Sequence, residues 1–160
     1  MNRVVAQISE SEFSVQGHGV HTAFVETCAG LEKAGVTVRK NKLFARADTR
    51  HIHTVGPYSL LNMILGSGKK VISAHVVPAS FIGSLKGAKK WLGFATWYLK
   101  WFYNRADMVI AVSDETKTEL MKMGVTKPIE VVYNMVDTSR YRCTVAEREA
   151  ARQKFGFTNE

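Results

Sequence analysis

Two segments carry residue types that could do chemistry. The first runs from Ser9 to His21, where Gly17 and Gly19 flank His18 just ahead of a helical pattern. Glycines there let the backbone approach a ligand closely, and the free N–H groups of a helix N-terminus favour phosphate. That predicts contact with a phosphate or sugar phosphate, set against the plainer reading of a flexible turn. The third glycine of a dinucleotide fingerprint would fall at Thr22 and is absent, and the loop is too long for that tight turn. The second segment is His75, directly after the apolar run Val71 to Ala74. An imidazole there can hydrogen-bond a sugar hydroxyl or act as an acid or base near neutral pH, or it can be satisfied by backbone in a half-buried loop. His18 with His21, and His51 with His53, have spacings that could pair on a metal. No carboxylate or cysteine completes either set, so no metal is expected.

A third group is defined by what surrounds it. Between Thr49 and Ala106 there is no aspartate or glutamate, while eight Lys or Arg residues and all three tryptophans lie inside. The chain has 22 basic and 14 acidic residues, so this window holds the whole formal charge of +8. Such asymmetry points to an anionic partner: nucleic acid, a phosphorylated substrate or an acidic lipid surface. Within the window, a long helical pattern begins at Lys86. Ala88, Trp91, Leu92, Ala95, Tyr98, Leu99 and Phe102 fall on one face, an ordinary core stripe. The opposite face gathers Lys86, Lys89, Lys90, Trp97, Lys100 and Trp101. Tryptophan beside lysine suits the boundary between water and lipid, where four lysines contribute roughly 4 kcal/mol before screening. Packing against a neighbouring loop or domain, and stacking on nucleic acid, are the alternatives.

These groups need a frame, and the sequence supplies one. Short β-branched runs at Val4 to Ile8, Val36 to Arg39, His51 to Val55, Val71 to Ala74, Met108 to Val112 and Ile129 to Val132 alternate with helical patterns. That alternation predicts an α/β domain with a Rossmann-like parallel sheet covered by helices on both faces. Gly35 and Gly124 stand where helices should stop, Pro57 suits a first helical turn, and Ser113 before Asp114 and Glu115 reads as an N-cap. After Val132 a polar segment leads to a charged helical stretch near Val145 to Lys154.

At 160 residues and 46% apolar content, one compact core is expected. The longest apolar runs fall well short of the ~20 residues that span a bilayer, and the N-terminus lacks the organisation of an export signal. Cys28 and Cys143 form no disulfide framework, which fits a reduced, cytosolic setting.

In combination the motifs resemble the N-terminal domain of a family 4 glycosyltransferase of the GT-B fold. The residues that carry this are Gly17 to His21 before the first helix, Leu31 to Val38 closing it, and the His75 loop. Arg105 to Ser113 and Ile129 to Asp137 complete it, although Met135 stands where the family usually has glycine and Val36 where it often has histidine. The resemblance implies a two-domain enzyme with its active site in the cleft between halves. It implies residues 1–143 as the acceptor-binding domain and 144–160 as the start of a linker towards a missing donor-binding domain, so the chain alone is expected to be inert. Gly17 and Gly19 are then expected to face donor phosphates, and His75 the transferred sugar.

The basic Trp-bearing face looks most like bacterial 1,2-diacylglycerol 3-glucosyltransferases. That implies transfer of glucose from UDP-glucose to a diacylglycerol-type lipid, with anomeric retention, at the inner face of the cell membrane. The partners implied are an anionic membrane surface, the lipid acceptor and the second domain, with no cofactor held by this domain. Two other classes compete. A basic nucleic-acid or phospholipid binding module lacks any helix-turn-helix, zinc or RNP signature. A dinucleotide-dependent oxidoreductase is disfavoured by the missing glycine and by Arg39 and Lys40 at the end of the second strand.

Overall fold

A computed structural model describes residues 3–13, 19–78, 88–135, 138 and 142–157, with the backbone alone at 88–91. Six parallel strands form one sheet: β1 (Val4–Ile8), β2 (Thr37–Lys40), β3 (Thr49–Ile52), β4 (Lys69–Ala74), β5 (Met108–Ala111) and β6 (Ile129–Val131). Their order is β2-β1-β3-β4-β5-β6. The helices are α1 (Gly19–Lys33), α2 (Pro57–Leu65), α3 (Ala88–Tyr103), α4 (Asp114–Met123) and α5 (Val145–Lys154), and a short 3-10 turn covers Glu10–Glu12. This is the Rossmann-like α/β fold that the alternation predicts. The chain leaves β1 through α1 towards β2 at one edge, and leaves β3 through α2 towards β4 in the other direction. Adjacent strands whose connections diverge open a crevice beyond their carboxyl ends, and here that switch point lies between β1 and β3.

The strand period of two sorts side chains onto two different faces. Ala6, Ile8, Ile52, Ile72, Ala74, Val109 and Ala111 are buried in the main core with Leu99, Phe102 and Tyr103 of α3 and Leu120 of α4. The intervening positions Gln7, His51 and Ser73 are buried yet polar. Register puts Gln7, His51 and Val71 in one row across the sheet, and Ser73 stands two residues beyond Val71 on the same face. One face is therefore a packed apolar core, and the other presents a polar network.

Punctuation follows local chemistry. Ser113 accepts from the Thr116 N–H and caps α4, whose first turn carries Asp114 and Glu115. Gly124 ends α4 at φ +88°, where a left-handed backbone favours glycine. Pro57 opens α2, and Thr144 with Glu147 makes a reciprocal capping box on α5. Strand β3 begins two residues before the expected run and ends at Ile52, so His53 already belongs to the loop, its N–H bonded to the Ile8 carbonyl.

Two cations of the acid-free window spend their donors inside the fold. Arg50 is fully buried and donates to the carbonyls of Lys42, Ala45 and Ser67 and to Asn62 Oδ1. Lys70 Nζ donates to the carbonyls of Gly66 and Gly68, both at 2.7 Å. Carbonyl dipoles where α2 runs into β4 thus do the work of missing counterions. Arg105 lies 4.5 Å from the centroid of the Trp101 ring. The charge imbalance is accordingly narrower as a docking signal than the residue counts imply.

Candidate functional site

Three histidines meet at the carboxyl edge of the sheet. The ring centroids of His51 and His53 are 4.2 Å apart, and His53 stacks on His75 at 5.8 Å. Gln7 ties the first two together: its Nε2 lies 3.2 Å from His51 Nδ1 and its Oε1 lies 2.7 Å from His53 Nε2. An amide nitrogen only donates, so His51 Nδ1 accepts and its Nε2 carries the proton, donated to Ser73 Oγ at 2.8 Å. An amide oxygen only accepts, so His53 Nε2 carries its proton and its Nδ1 is an acceptor. One glutamine fixes two tautomers.

Burial keeps these rings neutral. It lowers His51 from its ordinary 6.5 to about 4, assisted by neighbouring His75. His75 falls to about 4 from burial alone, and His53 is held well below 6.5 by burial and then by the other two rings. At neutral pH His75 is thus a neutral hydrogen-bonding group and not a titrating acid or base. Among the described residues neither His75 Nε2 nor His53 Nδ1, both buried, has a hydrogen-bond partner, a state that costs about 1–3 kcal/mol each. Groups left so are poised for a ligand.

A cleft of about 270 Å³ opens over this row. Ala23, Thr27 and Leu31 of α1 form one wall, and Ile110 with the segment after β6, Val132 to Met135, forms the other. Tyr133 donates to Asp114 Oδ2 at 2.6 Å, and the Met135 side chain lies against Gly30 of α1, so that segment bridges from α4 to α1. Cys28 on α1 is buried with its thiol raised to about 11, chiefly by burial, which leaves it a packing residue.

A second cleft of about 290 Å³ shares His53 and lies at the β1/β3 switch point. Val20, Val55 and Val76 give it apolar walls, and Glu10 and Gly56 close one end. Hydroxyls from α3 support those walls: Tyr98 donates to the Val55 carbonyl and Tyr103 to the Val76 carbonyl, each at 2.6 Å. The turn bearing Glu10 is clamped by Asn41, which accepts from the Ser9 N–H and donates to the Ser9 carbonyl. Glu10 Oε1 accepts from the Ser59 N–H at 3.0 Å, capping α2 in place of the side chain that Gly56 lacks.

The sequence-expected residues are distributed unevenly. His75 stands in the first cleft. Gly19 is the first residue of α1, whose opening turn carries no acid. Gly17, His18 and Lys86 lie outside the described residues; Lys89 and Lys90 are placed in α3 by backbone only. Trp97 is 59% exposed and Phe94 60% on the outward stripe of α3. Trp101 departs from the expectation: although it shares the outward stripe with Phe94 and Trp97, it sits nearer the carboxyl end of α3, where it packs on the core, stacks on Tyr98 and lies beneath Arg105. The Lys100 side chain folds back over Gly124 at the carboxyl end of α4, a favourable place for a cation.

His51, His53, Gln7 and Glu10 are site residues that sequence spacing alone does not reveal. The i, i+2 histidines carried the signal, since they share a strand face, but only strand pairing brings Gln7 between them. Among the described residues no grouping of three or more His, Cys, Asp or Glu side chains is arranged to hold a metal ion. Among them, too, no helix is long and apolar enough to cross a membrane.

A parallel sheet with clefts at its switch point and carboxyl edge defines a Rossmann-like ligand-binding domain. The chain belongs to Glycosyltransferase Family 4, whose signature matches residues 36–140. It is 30% identical over 143 residues to alpha-galactosylglucosyldiacylglycerol synthase of Streptococcus pneumoniae. That match covers 86% of this chain and 38% of the synthase, so the chain spans well under half the length of that relative. Its fold is that of Anabaena HepE, crystallised with UDP and glucose, at a TM-score of 0.69 and 15% identity over 97% of this chain and 50% of HepE. HepE with UDP-glucose superposes with a TM-score of 0.66 at 14% identity, with the same coverage. The chain is an N-terminal GT-B domain of a glycosyltransferase.

Proposed function

We propose that this chain is the acceptor-binding, membrane-facing half of a retaining glycosyltransferase that moves glucose from UDP-glucose to a diacylglycerol-type lipid. The 30% identity to a glycolipid synthase carries this reading. Residues 1–143 are the domain and 144–160 begin the link to a donor-binding half, without which the domain is inert. The N-terminus of α1, with Gly17, His18 and Gly19, faces the donor phosphates; its first turn holds no carboxylate to repel them. His75 contacts the transferred sugar as a neutral hydrogen-bonding group. UDP-glucose is a substrate here, and no cofactor is assigned to the domain.

Membrane contact falls to α3. Trp97 and Phe94 stand outward on one stripe, with Lys86, Lys89 and Lys90 as the basic set while Lys100 turns to the end of α4, and the enzyme is peripheral on the inner face of the cell membrane. Trp101, on the same stripe, packs on the core instead. A second reading comes from the name of the pneumococcal synthase: galactose as the sugar and an already glucosylated lipid as the acceptor. Assays of the full-length protein with UDP-glucose and diacylglycerol, and with UDP-galactose and glucosyldiacylglycerol, separate the two. Sedimentation with anionic vesicles tests the surface, and equal binding by the Phe94→Ala, Trp97→Ala double variant would remove it.

A further inference from the structure

We infer that Glu10 and His53 form the station that holds the acceptor's hydroxyl, at the cleft between the carboxyl ends of β1 and β3. The inference rests on the acceptor-binding reading above and assigns residues to it.

Two independent observations converge on this cleft. Glu10 is a carboxylate with one oxygen held by the Ser59 N–H, and among the described residues no Lys or Arg pairs with it. A Cβ at Gly56 would lie 2.1 Å from its other oxygen, Oε2, so the glycine is what leaves room for the carboxylate. His53 is 2% exposed and lines the same cleft, and among the described residues its buried acceptor Nδ1 has no partner. Its other nitrogen is committed to Gln7, so the ring cannot turn the lone pair elsewhere without losing that bond.

The chemistry of the ligand follows from what is left over. Ser11 shares a bond with Ser9, and Thr54 shares one with Ser59 while accepting from the Glu10 N–H, so Glu10 and His53 Nδ1, both acceptors, set the character of the cleft. A phosphate or carboxylate would meet a carboxylate and a lone pair and be repelled. An uncharged hydroxyl carries one proton, which Glu10 or the His53 lone pair accepts, while Val20, Val55 and Val76 accept an apolar body beside it. An alcohol carried on a lipid has that form. Diacylglycerol and glucosyldiacylglycerol share it, and both are tested. Glu10 is a positioning residue here: it orients the hydroxyl and fixes its proton's direction.

The test uses the full-length protein, with UDP-glucose and UDP-galactose as donors and vesicles of each lipid as acceptors. Glu10→Gln keeps an oxygen to cap Ser59 and removes the charge; Gly56→Ala keeps the charge and displaces the carboxylate. Both variants are expected to lose at least tenfold in kcat/KM for the lipid, mainly through the lipid KM. The donor KM moves far less than the lipid KM in both variants, a split that a merely structural role for Glu10 would not produce. A parent that transfers to lipid while both variants do so within twofold of it overturns the station alone. A donor KM that rises in step with the lipid KM overturns it too. A parent that turns over donor but glycosylates neither lipid overturns the acceptor reading and the station with it.

Discussion

At the scale of single residues, one glutamine decides the character of the site. Gln7 fixes the tautomers of His51 and His53, and burial keeps both neutral, so the site offers oriented lone pairs and N–H groups without charge. The cost is sensitivity to acid. Unfolded imidazoles take up protons below about pH 6.5, whereas folded His51 and His75 do so only near pH 4. Stability is therefore complete above about pH 6.5 and falls as pH drops through that window, by on the order of 2 kcal/mol for each of these two rings at pH 5. Thermal melts at pH 7 and pH 5 should show Tm falling, and His51→Gln should shrink the fall; a flat profile would contradict neutral burial. In the full-length enzyme His75→Ala should lower kcat/KM about tenfold or more, with its pH profile near neutrality unchanged. His75 was legible in sequence because it follows an apolar strand. Gln7 and Glu10 were not, since nothing local marks a partner that arrives through β1–β3 pairing or across the α2 cap.

At the scale of elements, α3 joins two tasks on opposite arcs. Leu99, Phe102 and Tyr103 are buried, and the hydroxyls of Tyr98 and Tyr103 hold the loops after β3 and β4. The outward arc leaves Phe94 and Trp97 in solvent. Trp97→Ala should leave Tm within about 2 °C and weaken vesicle binding, whereas Trp101→Ala should lower Tm by about 5 °C or more, since it strips a ring packed on the core. Scanning calorimetry beside sedimentation separates the two roles. Periodicity made the helix readable and its two arcs nearly so. It could not say which tryptophan is covered, because Trp97 and Trp101 lie about 40° apart on one arc of the helical wheel and only tertiary neighbours, Arg105 among them, cover the second. The turn from β3 to β4 offers a parallel case. Arg50→Met should cost on the order of 3 kcal/mol in denaturant melts, because it leaves the carbonyls of Lys42, Ala45 and Ser67 and the Asn62 amide oxygen without their donor.

At the scale of the whole molecule, the sheet divides labour between its faces. One face is an apolar core that α3 and α4 seal. The other, with the carboxyl edge, holds the histidine row and the two clefts that share His53. Alternating strand and helix patterns disclosed the architecture, because parallel crossovers leave that rhythm in any chain that forms them. The strand order, and so the switch point where the second cleft lies, depends on which neighbours each strand finds, and no local pattern records it. The same holds for charge. The acid-free window is plain in sequence, but only the fold reveals that Arg50 and Lys70 spend their donors on carbonyls. The most direct test of lipid glycosylation is to give the full-length protein a radiolabelled UDP-sugar and vesicles of diacylglycerol or glucosyldiacylglycerol, then count label extracted with the lipid. The proposed function predicts label in the lipid phase, more of it when anionic lipid is present and less for Trp97→Ala. Donor turnover with all label remaining in water would contradict it.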